Sequence, residues 1–298
     1  RLASGAGYTE GGARGLMAIA TRRSGQGESG DARRLAQEAL ELYENAGDKR
    51  GQCNALNLMG SANKGLSEYE AARVCHESAC EQACAAGDKE LEATSERNLG
   101  NVHLACGELD EAIIWYERSL NAARAAQDEQ AEAAVLNNLG IVHRHRNDYS
   151  TAAEYLEKSL IIKESLEDER GQAMTLSNLG VLYEGLGNYP RALECYQRSL
   201  PILHDLGDRQ NEANVLTNIG VVFHEIGDYA RALENYFRSL QVYRAACDRK
   251  SEAATLNNIG MVNVEAGDCV SALGFLRESL AIWRELGDRK SEAYTLDS

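Results

Sequence analysis

Leu136-Asn-Asn-Leu-Gly140 returns as Leu176-Ser-Asn-Leu-Gly180, Leu216-Thr-Asn-Ile-Gly220 and Leu256-Asn-Asn-Ile-Gly260. Weaker copies stand at Glu96-Arg-Asn-Leu-Gly100 and Leu56-Asn-Leu-Met-Gly60. The six glycines are 40 residues apart, with no insertion or deletion between them. A period held that strictly marks a repeat array. Each unit is too small to bury its apolar face alone and must stack on its neighbours. Length would otherwise suggest about two globular domains, but an array grows by adding units and needs no single central core.

The phase divides 1–298 into one array: a degenerate unit at 1–47, regular units at 48–87, 88–127, 128–167, 168–207, 208–247 and 248–287, and the opening of another at 288–298. In the first unit Leu16, Ala20, Ala32 and Leu40 keep the phase around a Gly-rich turn at 24–30. Asp48, Asp88, Asp128, Asp168, Asp208, Asp248 and Asp288 recur at the period, each suited to accept from the free N–H groups that open a helix. Glu92, Glu132, Glu212, Glu252 and Glu292 follow four residues later, where an acid suits the helix dipole. A first helix of the Arg209 to Glu225 type, a turn such as Gly227-Asp-Tyr229, and a second helix then complete each unit. The chain should therefore be all-α, with seven helix pairs and part of an eighth first helix. The recurring glycine, and Ala32, Ala72, Ala112, Ala152, Ala192, Ala232 and Ala272 on the second helices, mark where two helices approach closely. Pro190 suits a first helical position, whereas Pro201 falls inside a second helix and should bend it. Tyr294 and Leu296 have no following helix to cover them, so the natural chain is expected to continue or a partner to cap this end.

A net charge of −15 speaks against nucleic acid as a partner, since such binding rests on Lys and Arg neutralising phosphates. No apolar run approaches the roughly 20 residues of a membrane span, and the N-terminus lacks a signal-peptide pattern. Cys75, Cys80 and Cys84 share one predicted helix, but no Cys-x-x-Cys pair or matching His spacing completes a zinc site. Cys80 stands where later units carry Leu120, Leu160, Leu200, Leu240 and Leu280, and reads as a small core residue. Eight cysteines read as unpaired thiols point to a reducing compartment, the cytoplasm.

Leu176-x2-Leu179-Gly180-x2-Tyr183 followed by Ala192-x3-Tyr196, and Leu216-x2-Ile219-Gly220-x2-Phe223 followed by Ala232-x3-Tyr236, resemble the tetratricopeptide repeat. The resemblance implies a right-handed superhelical solenoid of antiparallel helix pairs with a concave face for partners. The unit here is 40 residues rather than the roughly 34 of that family. In this it resembles the Leu-Gly-Asn repeat proteins of spindle orientation (Pins-like), and less closely the kinesin light chains. Leu-Gly-Asn itself occurs once, at Leu99-Gly100-Asn101, so the subgroup resemblance implies architecture rather than a shared partner.

No nucleotide-binding loop, nucleophile elbow or His-Glu-x-x-His helix is present, and the six histidines form no catalytic set. His103 and His143 hold the place of Tyr183 and Phe223 and read as packing residues. The chain is expected to be non-enzymatic, to need no cofactor or metal, and to bind a protein or peptide segment, within a larger multi-protein assembly in some settings. Asn98, Asn138, Asn178, Asn218 and Asn258 occupy one position in five successive units, flanked by Asn137, Asn257, Asn101 and Asn214. An amide both donates and accepts, so such a row can bond the backbone of an extended peptide, or alternatively a neighbouring helix. Late in the first helices come Lys64, Arg144 and His145 in early units and Glu184, Glu225 and Glu265 in later ones, a charge gradient that would orient an asymmetric partner. Two functions compete: an interaction scaffold for an extended or helical segment, and a peptide-sensing module that controls an output domain elsewhere.

Overall fold

A computed structural model describes the backbone of residues 2–297 and the side chains of 11–297. Arg1 and Ser298, the outermost positions of the array, lie outside the described residues. Among the described residues there are fifteen α-helices and no strand. They are α1 (Leu2–Gly25), α2 (Ser29–Ala46), α3 (Lys49–Gly65), α4 (Tyr69–Ala86), α5 (Lys89–Cys106), α6 (Leu109–Ala126), α7 (Glu129–His145) and α8 (Tyr149–Ser165). The chain continues with α9 (Glu169–Gly185), α10 (Tyr189–Asp205), α11 (Arg209–Glu225), α12 (Tyr229–Ala245), α13 (Arg249–Glu265), α14 (Cys269–Leu286) and α15 (Arg289–Asp297). Seven pairs and an opening eighth helix are what the 40-residue phase predicts.

The chain forms two compact units, 1–162 and 163–298. In the first, α1 pairs with α2, α3 with α4 and α5 with α6, and each second helix meets the next first helix. The first helices also touch directly, α1 with α3, α3 with α5 and α5 with α7. The second unit repeats the scheme with pairs α9–α10, α11–α12 and α13–α14, and with first-helix contacts α9–α11 and α11–α13. Within each unit, then, the first helices form one layer and the second helices another.

The helix starts follow the aspartates. Asp48, Asp88, Asp128, Asp168, Asp208, Asp248 and Asp288 each accept from the backbone N–H three residues on, at 2.9 Å for Gly51, Ala131 and Gly171. Hydrogen bonds from Ser271 and Ser291 hold the carboxyls of Asp268 and Asp288 below the usual range. The helix ends need one left-handed residue each. Glycine supplies it at nine positions, but Ser67, Gln127, Asn147, Glu167 and Cys247 sit there with φ between 54° and 62°. A side chain in that region costs roughly 1–2 kcal/mol. Gln127→Gly, Glu167→Gly and Cys247→Gly together should therefore raise the denaturation midpoint by an amount worth about 2–4 kcal/mol, and a midpoint that stays put would mean the turns are unstrained.

The recurring glycine is explained by what lies over it. A Cβ on Gly100 would sit 2.5 Å from the Tyr116 ring, and on Gly220 2.6 Å from the Tyr236 ring. Tyr116, Tyr196 and Tyr236 are completely buried, each laid across the glycine of its partner helix. Leu156 and Leu276 do the same over Gly140 and Gly260, and His76 over Gly60. A second register fastens the pairs. Ser119, Ser159, Ser199 and Ser279, all fully buried, donate to the carbonyls of Ala93, Ala133, Ala173 and Ala253 at 2.6–2.9 Å. Ser239 keeps its bond within its own helix, to the Tyr236 carbonyl. Pro201 does not interrupt α10, and it faces solvent there.

Candidate functional site

The face of the first helices that no other helix covers is read from the burial pattern. On α9, Arg170 and Met174 are exposed, Ser177, Asn178, Val181 and Glu184 are half-buried, and Leu176, Leu179 and Leu182 point inward. Positions three and four apart share a helix face, so the first set is one stripe along α9. The stripe repeats on α11 through Gln210, Asn214, Asn218 and Val221, and on α13 through Lys250, Ala254, Asn258 and Met261.

In the second unit α9 and α11 leave a cleft of about 200 Å³ between their stripes, lined by Met174, Ser177, Asn178, Val181, Asn214 and Asn218 among others. The floor is apolar and the rim is amide. Asn218 bonds the Tyr196 hydroxyl, which donates to Glu184 at 2.9 Å. Burial first, and then the Glu184 charge, push the Tyr196 phenol far above its ordinary value, so it stays a donor. This relay ties the α9 and α11 stripes to α10. Asn214 is exposed and accepts from the Tyr243 hydroxyl at 2.8 Å. Asn258 and Asn257 line a second cavity between α13 and α15.

In the first unit the same asparagines are spent on the stack. Asn98 donates to Asn57 at 3.4 Å, and Asn138 to Asn101 at 3.0 Å, so each bond joins one first helix to the next. Asn101 also accepts from the Tyr116 hydroxyl at 2.7 Å. Asn57 is buried, donates through its Nδ2 to Ser95 and accepts through its Oδ1 from His76 Nδ1 at 2.9 Å. Burial holds the His76 imidazole down at about 4, so it is neutral at physiological pH. Asn137 and Asn257 are buried rather than presented at the surface. Their position is one residue away from the row, and one residue on a helix turns the side chain by about 100°.

The late charges are placed as follows. Arg144 is half-buried at the end of α7, 3.4 Å from the exposed His145 imidazole, and Lys64 holds the same register on α3. In the second unit Glu184 accepts from Tyr196, Glu225 from Tyr189 at 3.5 Å, and Glu265 pairs with His224 at 3.0 Å. Each acid thus has an intramolecular partner, and Glu265 also accepts from the Tyr229 hydroxyl. His103 and His143 pack as read from the sequence, against Trp115 and Tyr155 with centroids 6.4 and 5.4 Å away. Cys80 is buried, with its sulfur 4.0 Å from that of Cys84, and the eight cysteines are all free. Among the described residues no group of three or more His, Cys, Asp or Glu could hold a metal ion, and no helix is long and apolar enough to cross a membrane.

Of two further positions of the stripe, sequence reading named only Asn214 as a contact. Met174, Asn214 and Ala254 stand four residues before the asparagine row, Tyr294 one period after Ala254, and Val181 and Val221 three after the row. The signal for the first was its variability against a constant background: these four residues share no chemistry although their neighbours repeat.

A family model described as tetratricopeptide repeat matches residues 91–165 and 171–245, and a second so described matches 253–286. No curated protein matches the chain. The apo form of RapI superposes with a TM-score of 0.74 at 17% identity, over 95% of this chain and 79% of that one. The Rap conjugation gene regulator of plasmid pLS20, solved in complex with the Phr* peptide, gives 0.69 at 14% identity, over 93% and 75%. A Podospora anserina putative kinesin light chain with nearly identical repeats gives 0.52 at 16% identity, over 65% and 96%. At these identities the likeness is one of fold.

Proposed function

This chain belongs to the tetratricopeptide repeat family, and on that premise we propose that it is a non-enzymatic scaffold that holds an extended or helical segment of a partner protein on the exposed face of its first helices. The observation that carries this is the α9–α11 cleft, where an apolar floor lies beneath the amides of Asn178, Asn214 and Asn218. An extended backbone presents N–H and C=O groups that amides bond without demanding a sequence. Met174 and Val181 offer it apolar contact, which selects side chains. The whole chain, 1–298, acts as one array in this reading, with protein rather than nucleic acid as partner, in a reducing compartment suited to its free cysteines, and as part of a larger assembly. In its 40-residue unit it resembles the Leu-Gly-Asn repeat and kinesin light chain arrays in architecture, without their partners. The charges Arg144, Glu184, Glu225 and Glu265 set the direction in which a segment lies.

The second reading is a peptide-sensing module that governs an output domain outside this chain. The likeness to Rap structures, one of them a peptide complex, favours keeping it. A peptide that changes the radius of gyration in small-angle scattering argues for the sensor, and tight binding at constant radius argues for the scaffold.

Selection of a displayed random peptide library against the full chain supplies the test. With Asn178→Ala and Asn218→Ala combined, the selected peptides should bind more weakly by about 1–3 kcal/mol, at roughly 0.5–1.5 per lost bond, while melting moves little. Unchanged affinity, or a collapse in melting that accounts for the loss, would sink the proposal for this cleft.

A further inference from the structure

The cavity between α13 and α15 has about 530 Å³ and is chemically unlike the α9–α11 cleft, although it occupies the same register. Its floor is the Trp283 indole, which stands where the other cleft has Leu203. Tyr294 stands where that cleft has Asn214, and it is two-thirds exposed. Lys250 and Lys290, one period apart, stand at the mouth in the first turns of their helices.

Three observations point to a ligand. Asn257 is 4% exposed, lines the cavity, and its Oδ1 has no hydrogen-bond partner. A buried acceptor without a donor is unfavourable until one arrives. The two ammonium groups make no ion pair among the described residues, and Lys250 acts on the capping carboxylate of Asp288 only at longer range. A cation in the first helical turn also opposes the helix dipole, so helix stability does not account for either lysine. Finally, an exposed aromatic beside a buried indole is a wall that water leaves readily.

We infer that this cavity binds a peptide segment carrying an apolar side chain next to a carboxylate. The apolar group rests on Trp283 and Tyr294, a backbone N–H of the segment donates to Asn257 Oδ1, and the carboxylate meets Lys250 and Lys290. This rests on the scaffold reading and adds a partner chemistry to it. It also assigns charge within the second unit differently from the gradient along the array. Here cations stand at the starts of α13 and α15 and the acid Glu265 at the end of α13, so polarity runs across the first-helix layer.

The chain has two tryptophans, so Trp115→Phe leaves Trp283 as the reporter of its own cavity. The probes are octapeptides with a leucine followed by two glutamates, placed internally or at the free C-terminus, the latter also amidated, and a control with lysines in place of the glutamates. The glutamate peptides should shift Trp283 emission saturably, and the shift should weaken with added salt. Lys250→Glu with Lys290→Glu should lower affinity at least tenfold. Asn257→Leu, which removes the stranded acceptor without lowering the melting temperature, should lower it several-fold. If amidation of the terminal probe abolishes binding, the carboxylate is that of a chain end; if the internal probe binds equally, it is that of a side chain, and either supports the inference. No saturable shift, equal binding of the lysine peptide, or affinity blind to the lysine and asparagine variants overturns it. Peptides that remain sensitive to Asn178→Ala and Asn218→Ala but not to Lys250→Glu and Lys290→Glu would overturn this site alone and leave the scaffold standing. Insensitivity to both sets would remove both.

Discussion

Lys163→Leu stabilises the protein by about 2–3 kcal/mol at neutral pH. Lys163 sits near the end of α8 in the register that Leu203, Tyr243 and Trp283 fill in later units, and it is 6% exposed. Its ammonium has Thr175 Oγ1 at 2.8 Å and the Gly171 carbonyl at 3.4 Å, but no carboxylate in contact. Burial pulls its pKa from 10.5 down to about 8, with the Asp168 charge opposing weakly. A depressed pKa is a stability statement: each unit is about 1.4 kcal/mol, so keeping this lysine charged costs the fold about 3 kcal/mol. Leucine removes the charge and buries more apolar area, and the Thr175 hydroxyl loses one partner in exchange. The sign in pH follows. The cost is fully present below pH 8 and disappears as pH rises toward 10.5, where the unfolded lysine is neutral too. Denaturation of both proteins between pH 7 and 10.5 reads this directly. The variant's advantage should shrink across that window, and a variant less stable at pH 7 would mean that the two oxygens compensate the charge in full.

Gly220→Val should cost about 3 kcal/mol or more, the largest single loss expected outside the buried tyrosines. A Cβ at 220 would lie 2.6 Å from Tyr236 Cε1 and 2.7 Å from Cδ1, and the ring has nowhere to go because Tyr236 is completely buried. Overpacking of that kind typically costs about 1–3 kcal/mol. Valine adds two further methyls to the clash. Against this stands the helix propensity gained over glycine in a helix interior, roughly 1 kcal/mol for alanine and less for valine, which makes Gly220→Ala the milder test. The mechanism is checked by a double-mutant cycle. Tyr236→Ala alone opens a cavity and destabilises, but Gly220→Ala in that background should be neutral or favourable, with a coupling of about 1–3 kcal/mol. Additive losses would show that the helices do not meet through this ring.

The period made most of the fold legible. Glycines at a constant spacing predicted pairs, because only a glycine leaves room for the side chain laid across it, and the aspartates predicted where first helices begin, because capping is a backbone requirement that one residue meets alone. The site was less legible, since it depends on which partner an amide finds. Asn98 and Asn178 are the same letter in the same register. The first is paired with Asn57 across the stack, and the second, which also has an intramolecular partner, lines a cleft. Asn137 and Asn257 were placed beside the row by adjacency in sequence; a helix turns adjacent residues to different faces, and both are buried, Asn257 against the cavity that Asn258 also lines. The serines before Leu120, Leu160, Leu200 and Leu280 were as periodic as the asparagines, yet their bonds to alanine carbonyls 26 residues earlier become visible only once the pairs are folded.

Peroxide oxidation of Met174, followed by mass spectrometry, tests the central claim most directly. Met174 is 46% exposed in the α9–α11 cleft, while Met17 on α1 and Met59 on α3 are half-buried and serve as internal references. The measurement compares sulfoxide formation on the full chain alone and with a selected peptide whose affinity is known independently. If the first-helix face holds the segment, Met174 oxidation falls about tenfold at roughly 90% occupancy, by mass action, and the reference methionines keep their rates. A saturating peptide that leaves the Met174 rate unchanged would place the partner elsewhere and contradict the account.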